Sequence, residues 1–234
     1  MRQVVVAGST GLVGREVVRL LASRTDVTVT ALVRRLEGKT AAGELVKEVL
    51  FDYAAPASYQ RLGDEIPCDT LLCCLGTTLK KAGSPAAFLE VDREYPLALL
   101  RRLATRTSRP VFGLVSSVGA NRPRGLYLEA KAAVEEAVRS SGLPAVIVRP
   151  SLLLGERAER RVAERVAIAL AAPPFRFLGR VVGRRAGWVG MLAPVPAADV
   201  ARSLVDGALR TNPGAAAAAT ILEGWDLRPA AAAS

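Results

Sequence analysis

Three glycines spaced three apart, Gly8, Gly11 and Gly14, follow directly on the apolar run Gln3-Val4-Val5-Val6-Ala7. They open a segment with helical spacing, in which Val13, Val17, Leu20 and Leu21 share one side. A strand buried on both faces thus turns at once into an amphipathic helix. Glycine permits a tight turn, lets backbone amides approach a pyrophosphate, and lets the helix pack closely on the strand. The helix N-terminus then presents partial positive charge to the phosphates. The loop Gly8-Ser9-Thr10-Gly11-Leu12-Val13-Gly14 is therefore expected to hold a dinucleotide.

The same alternation continues along the chain. Further strands are expected over residues 27–33, 47–51, 70–75, 110–116 and 145–150, and helices over 12–23, 56–62, 88–106 and 127–141. Pro96 marks a kink or restart in the third helix, and Gly142-Leu143-Pro144 ends the fourth. Strand and helix in alternation predict an α/β fold, a doubly wound parallel sheet of the Rossmann type with helices on both faces. At 234 residues, one domain spanning 1–234 is the expectation. After Pro150 the pattern loosens. Helical spacing returns over 162–172 and 196–209, and the alanine-rich stretches 215–219 and 230–234 read as low-complexity tail. Residues 151–234 are expected to form a small C-terminal elaboration, the substrate-side wall.

Composition narrows the chemistry. The chain has no histidine, which excludes histidine-based catalysis and histidine-ligated metal, and no metal site is expected. Cys68, Cys73 and Cys74 have neither zinc-knuckle nor redox-pair spacing, and the last two lie within an apolar strand, so reduced, buried thiols are expected. The net charge of +10 rests on 27 arginines and only five lysines, and no aromatic-basic interleaving of the RNA-binding kind is present. That pattern reads as a coding bias and not as a nucleic-acid surface. No apolar run approaches the roughly 18 residues of a membrane span, and no export signal is read at the N-terminus. A cytoplasmic protein is expected.

Tyr127-Leu128-Glu129-Ala130-Lys131 places a tyrosine and a lysine four residues apart, on one face of a helix. Lys131 puts positive charge beside a hydroxyl that can then act as general base in an oxidation or as general acid in a reduction. The helix follows the fifth strand and its Val115-Ser116-Ser117-Val118 end.

The GxxGxxG spacing resembles the extended and atypical branches of the short-chain dehydrogenase/reductase superfamily. The resemblance narrows at Cys73-Cys74-Leu75-Gly76-Thr77-Thr78, at Val91-Asp92-Arg93-Glu94-Tyr95 and at Arg149-Pro150-Ser151-Leu152-Leu153-Leu154-Gly155. Together these motifs are similar to the atypical short-chain reductases related to the human HIV Tat-interacting oxidoreductase, over residues 3 to about 205. The resemblance implies a catalytic set of Ser117, Tyr127 and Lys131, with Ser117 preferred over Ser116 because the family's polar residue falls second in the pair. Lys131 also contacts the nicotinamide ribose in that scheme. Asp52 is implied to meet the adenine amino group, Gly76, Thr77 and Thr78 to line the cofactor at the sheet's carboxyl edge, and the backbone around Pro150 to contact the nicotinamide amide.

NAD-binding members carry an acid at the end of the second strand, for the ribose 2′-hydroxyl. Here Arg34 and Arg35 stand there, and guanidinium groups pair with a 2′-phosphate, so NADP(H) is the expected cofactor. The expected activity is hydride transfer to or from a carbonyl or alcohol of a small-molecule substrate. A non-catalytic NADP(H)-binding regulator or assembly protein is the alternative. The segment 157–190, with Phe175, Phe177 and Trp188 among many arginines, suits a hydrophobic or an anionic substrate, and equally a lid over the core. The resemblance leaves a homodimer open.

Overall fold

The computed structural model describes residues 1–36, 46–151, 153–154 and 195–227. Seven parallel strands form one sheet. They are β1 (Arg2–Ala7), β2 (Val27–Val33), β3 (Val46–Leu50), β4 (Thr70–Cys73), β5 (Val111–Val115), β6 (Ala145–Arg149) and β9 (Ala219–Glu223). They stand in the order β3-β2-β1-β4-β5-β6-β9. A separate two-residue pairing joins β7 (Leu153–Leu154) to β8 (Val195–Pro196).

The central strands carry apolar residues on both faces because both faces are covered. Val4 and Val6 of β1 join one core cluster, and Val5 and Ala7 join the other. The same period of two divides Val146 and Val148 of β6 from Ala145 and Ile147. One cluster is roofed by α1 (Leu12–Ala22) and α7 (Ala197–Arg210). The other is roofed by α2 (Pro56–Gln60), α5 (Tyr95–Ala104) and α6 (Gly125–Ser140). Helices thus lie on both sides of the sheet, as the alternating sequence pattern predicts. The strand order reverses between β1 and β4, and a crevice opens beyond the carboxyl ends of strands at such a switch point.

Three local differences from the sequence reading have physical causes. The helix expected over 88–106 is broken into α4 (Pro85–Leu89), a π turn (Glu90–Glu94) and α5. Ser84 starts α4, its hydroxyl accepting from the Ala87 amide at 3.1 Å. Proline at 96 has no N–H to give to the carbonyl one turn back, and the Tyr95 amide instead reaches the Glu90 carbonyl, five residues away. The fourth strand stops at Cys73, and α3 (Leu79–Ala82) follows, capped by the Thr78 hydroxyl. Finally, the alanine-rich stretch leads into β9, an edge strand in register with β6 from Ala145↔Ala219 to Arg149↔Glu223. Both α7 and β9 lie within the span expected to form the substrate-side wall, yet they complete the sheet and its covering layer. Residues 155–194, which include the expected helix at 162–172 and Phe175, Phe177 and Trp188, lie outside the described residues.

Candidate functional site

The glycine loop is shaped by close backbone approaches. Gly8 has φ +82°, and a Cβ there would meet the Cys74 carbonyl oxygen at 2.6 Å. A Cβ on Gly14 would fall 2.0 Å from the Gly8 carbonyl oxygen. No larger residue fits either position. The Gly11 amide donates to the Gly8 carbonyl at 3.0 Å, closing the turn. Gly11 is also the N-cap of α1, so no side chain caps the helix and no acid occupies its first turn. That bare end favours an anion. The Ser9 hydroxyl is buried without a hydrogen-bond partner among the described residues, a donor left for a ligand. Thr10 is exposed at the outside of the loop. Glycine cradle, uncapped amides and orphaned hydroxyl together fit a dinucleotide pyrophosphate.

A cavity of about 750 Å³ runs from this loop across the ends of β4 and β5. Gly11, Leu12 and Val13 form one wall, Cys74 through Thr78 the floor, and Ser116, Ser117, Tyr127 and Lys131 the far side. The strand β5 and helix α6 bring the last four together. Tyr127, on the third residue of α6, is 42% exposed, and the Lys131 Nζ lies 5.9 Å from its ring centroid. Neighbouring residues at a strand end point to opposite sides. Ser116 turns inward and its hydroxyl donates to Glu135, whereas among the described residues the Ser117 hydroxyl reaches the adjacent Val118 carbonyl, at 3.3 Å. Cys74 lines the floor, but burial pushes its thiol up, as it pushes Cys73 to about 11 and Cys68 to about 12. These thiols are not poised as nucleophiles.

Asp92 is the site residue that spacing did not reveal. It lies on the π turn, 1% exposed, with Oδ1 3.0 Å from Lys131 Nζ and Oδ2 accepting from the Thr77 amide at 2.7 Å. One signal was present. Phe88, Asp92, Pro96, Leu99 and Leu103 form the buried stripe of this segment, and an acid on such a stripe calls for a buried partner. The Thr77 amide and the Thr78 hydroxyl thus already serve Asp92 and the start of α3.

The remaining expected residues stand apart from the cavity lining. Arg34 and Arg35 are exposed just past β2, and Asp52 is exposed just past β3, where its carboxylate accepts from the Ala54 amide at 2.9 Å. All three lie at the carboxyl edge of the sheet. Pro150 is buried, and its carbonyl accepts from the Val118 amide at 3.0 Å; the neighbouring Ser151 lines the cavity in its place.

Residues 8–169 match a family model described as NAD(P)H-binding. Rat HTATIP2 is 30% identical over 174 residues, 71% of this chain and 69% of that protein. The chain belongs to the atypical short-chain dehydrogenases/reductases. Among other members, FMP52 of Candida albicans is 29% identical over 233 residues, 94% of each chain. Solved structures with the same fold include ElxO with NADP bound, at a TM-score of 0.69 and 13% identity, covering 97% of this chain and 98% of that one. WbmH of Bordetella bronchiseptica, in complex with NAD+, superposes with a TM-score of 0.65 at 16% identity, covering 95% of this chain and 75% of that one. The expected cytoplasmic location is corrected by these relatives: the FMP52 proteins of Candida albicans, Coccidioides immitis and Emericella nidulans are all named mitochondrial, which points away from the cytoplasm.

Proposed function

We propose that this atypical short-chain dehydrogenase/reductase is an NADP(H)-dependent oxidoreductase acting on a carbonyl or alcohol through Ser117, Tyr127 and Lys131. The observation that carries the reading is a shared space. The three residues border the same cavity as the glycine loop and the end of β4. The dinucleotide, held by the loop and the bare N-terminus of α1, supplies the hydride chemistry. Tyr127 gives or takes the proton at the substrate oxygen, Ser117 holds that oxygen, and Lys131 keeps positive charge behind the tyrosine. Arg34 and Arg35, exposed just past β2 where NAD-binding members carry an acid, favour the phosphorylated cofactor.

Fluorescence titration of the pure protein with NADPH and NADH tests the cofactor, and tighter binding of NADH overturns the preference. Loss of NADPH absorbance with a panel of carbonyl compounds tests the activity, and turnover that survives Tyr127→Phe overturns the mechanism. One observation favours a second reading, an NADP(H)-binding regulatory or assembly protein. Asp92 offsets the charge of Lys131 at 3.0 Å, which weakens the push that a lone ammonium gives a tyrosine. That reading expects tight cofactor binding with no turnover on any carbonyl in the panel.

A further inference from the structure

We propose that Asp92 is a positioning residue of the dinucleotide site, holding the Lys131 ammonium and, through the Thr77 amide, the loop after β4 in one arrangement, so that ammonium and loop meet the nicotinamide half of the cofactor as a unit. The inference rests on the dinucleotide reading given above. Its ground is how the carboxylate is divided. One oxygen faces the lysine at 3.0 Å and the other accepts from the Thr77 amide at 2.7 Å, so the helix α6 and the loop after β4 are tied through a single side chain. Asp92 is 1% exposed and Lys131 5% exposed, and charges so far from water persist only when paired.

The pair is nevertheless open on one side. Asp92 and Lys131 both line the cavity. Gly76 stands over them without a side chain, where a Cβ would come within 3.6 Å of Asp92 Oδ1 and 3.9 Å of Lys131 Nζ. The ammonium has three donors, and the carboxylate engages it from one direction, which leaves protons for an acceptor in the cavity. The π turn has a part in this. The acid at position 92 lies within that turn, on the buried stripe. A carboxylate that served only the fold would not be expected to share a cavity wall with Tyr127 and the glycine loop.

Removing the Asp92 charge has two opposite consequences for an anionic ligand. It makes the whole site more positive, which strengthens the grip on phosphates at any distance. It also unties Lys131 from the loop at Thr77, which weakens only contacts to the nicotinamide half. The ratio of the dissociation constant for NADPH to that for its adenosine half, 2′,5′-ADP, separates the two. The experiment measures both constants by calorimetry for the wild type, Asp92→Asn, Asp92→Glu, Lys131→Met and the Asp92→Asn/Lys131→Met double variant; NADH and ADP replace them if the wild type prefers NADH.

In Asp92→Asn the ratio is expected to rise about tenfold, the worth of one charge-assisted contact. Lys131→Met raises it by a similar factor, and the double variant no further than Lys131→Met alone. An unmoved ratio in folded Asp92→Asn overturns the proposal, and so does a double variant in which the two single effects multiply. Asp92→Glu keeps the charge and displaces the carboxylate by one methylene, so it decides the matter if Asp92→Asn does not fold. A ratio raised several-fold supports positioning, and an unchanged one overturns it, because simple charge balance would survive that substitution. Wild-type protein that binds neither dinucleotide sinks the oxidoreductase reading and this inference together. Tight wild-type binding with an unmoved ratio in the variants sinks this inference alone.

Discussion

Lys131 and Glu135 stand one turn apart on the buried face of α6, both charged, and they are held in opposite ways. Glu135 is saturated. It accepts from the Ser116 hydroxyl, from Arg149 Nε at 3.0 Å and Nη2 at 2.6 Å, and from Arg139 Nη1 at 3.1 Å. Arg149 spends a further nitrogen on Glu223, at 3.1 Å. The cluster thereby stitches β5, α6, β6 and β9 together. Burial alone would raise the Glu135 carboxyl, but the Arg149 guanidinium and the Ser116 hydroxyl outweigh it and hold the group below the usual carboxylate range. Lys131 has one carboxylate at 3.0 Å, a tyrosine ring at 5.9 Å, and an open cavity. A saturated network has nothing left to offer a ligand, so it builds architecture. A sparse pair at a cavity wall keeps capacity for one.

The largest expected effect tests the saturated side. Glu135→Ala removes a buried carboxylate and leaves Arg149 without its main partner, which is expected to cost about 3–5 kcal/mol of stability in urea unfolding. Asp92→Ala is expected to cost less, about 1–3 kcal/mol, because the freed Lys131 ammonium lies at the cavity and recovers water there. Equal losses in the two variants break the comparison, since both clusters would then be architectural.

Acid sharpens the same contrast with a smaller effect. The folded-state pKa of Glu135 lies below its ordinary 4.5, so its contribution to stability is fully present above that value and is lost as pH falls through the depressed folded pKa. Urea midpoints measured at pH 6 and again at about pH 3 should fall further for the wild type than for Glu135→Gln, which has no proton to take up. Parallel acid slopes for the two proteins show that the Glu135 charge does not stabilise the fold.

The two clusters also mark how far the sequence could be read. The glycine loop was legible because its geometry is local: Gly8, Gly11 and Gly14 answer contacts made within seven residues and by the next strand over. Tyr127 and Lys131 were legible because four residues on a helix fix a shared face. Asp92 was not, because its place depends on a π turn that arises where Pro96 interrupts the ladder, and on a lysine 39 positions further on. Arg149 was read as the residue before a proline, and its role as a buried charge emerged only with the register that sets Glu223 opposite it. That same register turned an alanine-rich lead and Ile221 into an edge strand. Alanine carries little strand preference of its own, and pairing with β6 supplies what the local sequence lacks.

The smallest expected change in stability belongs to the residue with the largest expected change in chemistry. The Tyr127 ring is 42% exposed and, among the described residues, meets Lys131 and Phe88 at ring distances, 5.9 and 6.2 Å. Tyr127→Phe deletes one oxygen from that half-open position, so unfolding should shift by no more than about 0.5 kcal/mol. NADPH affinity should stay within about twofold, since the glycine loop and α1 are untouched. If Tyr127 moves the substrate proton, turnover should drop about 10²–10⁴-fold, the range of general acid–base catalysis. The three measurements belong together. A variant that loses stability as Glu135→Ala does places Tyr127 with the architectural cluster. A variant that keeps both stability and turnover removes the tyrosine from the chemistry, and the open side of Lys131 then serves the cofactor alone.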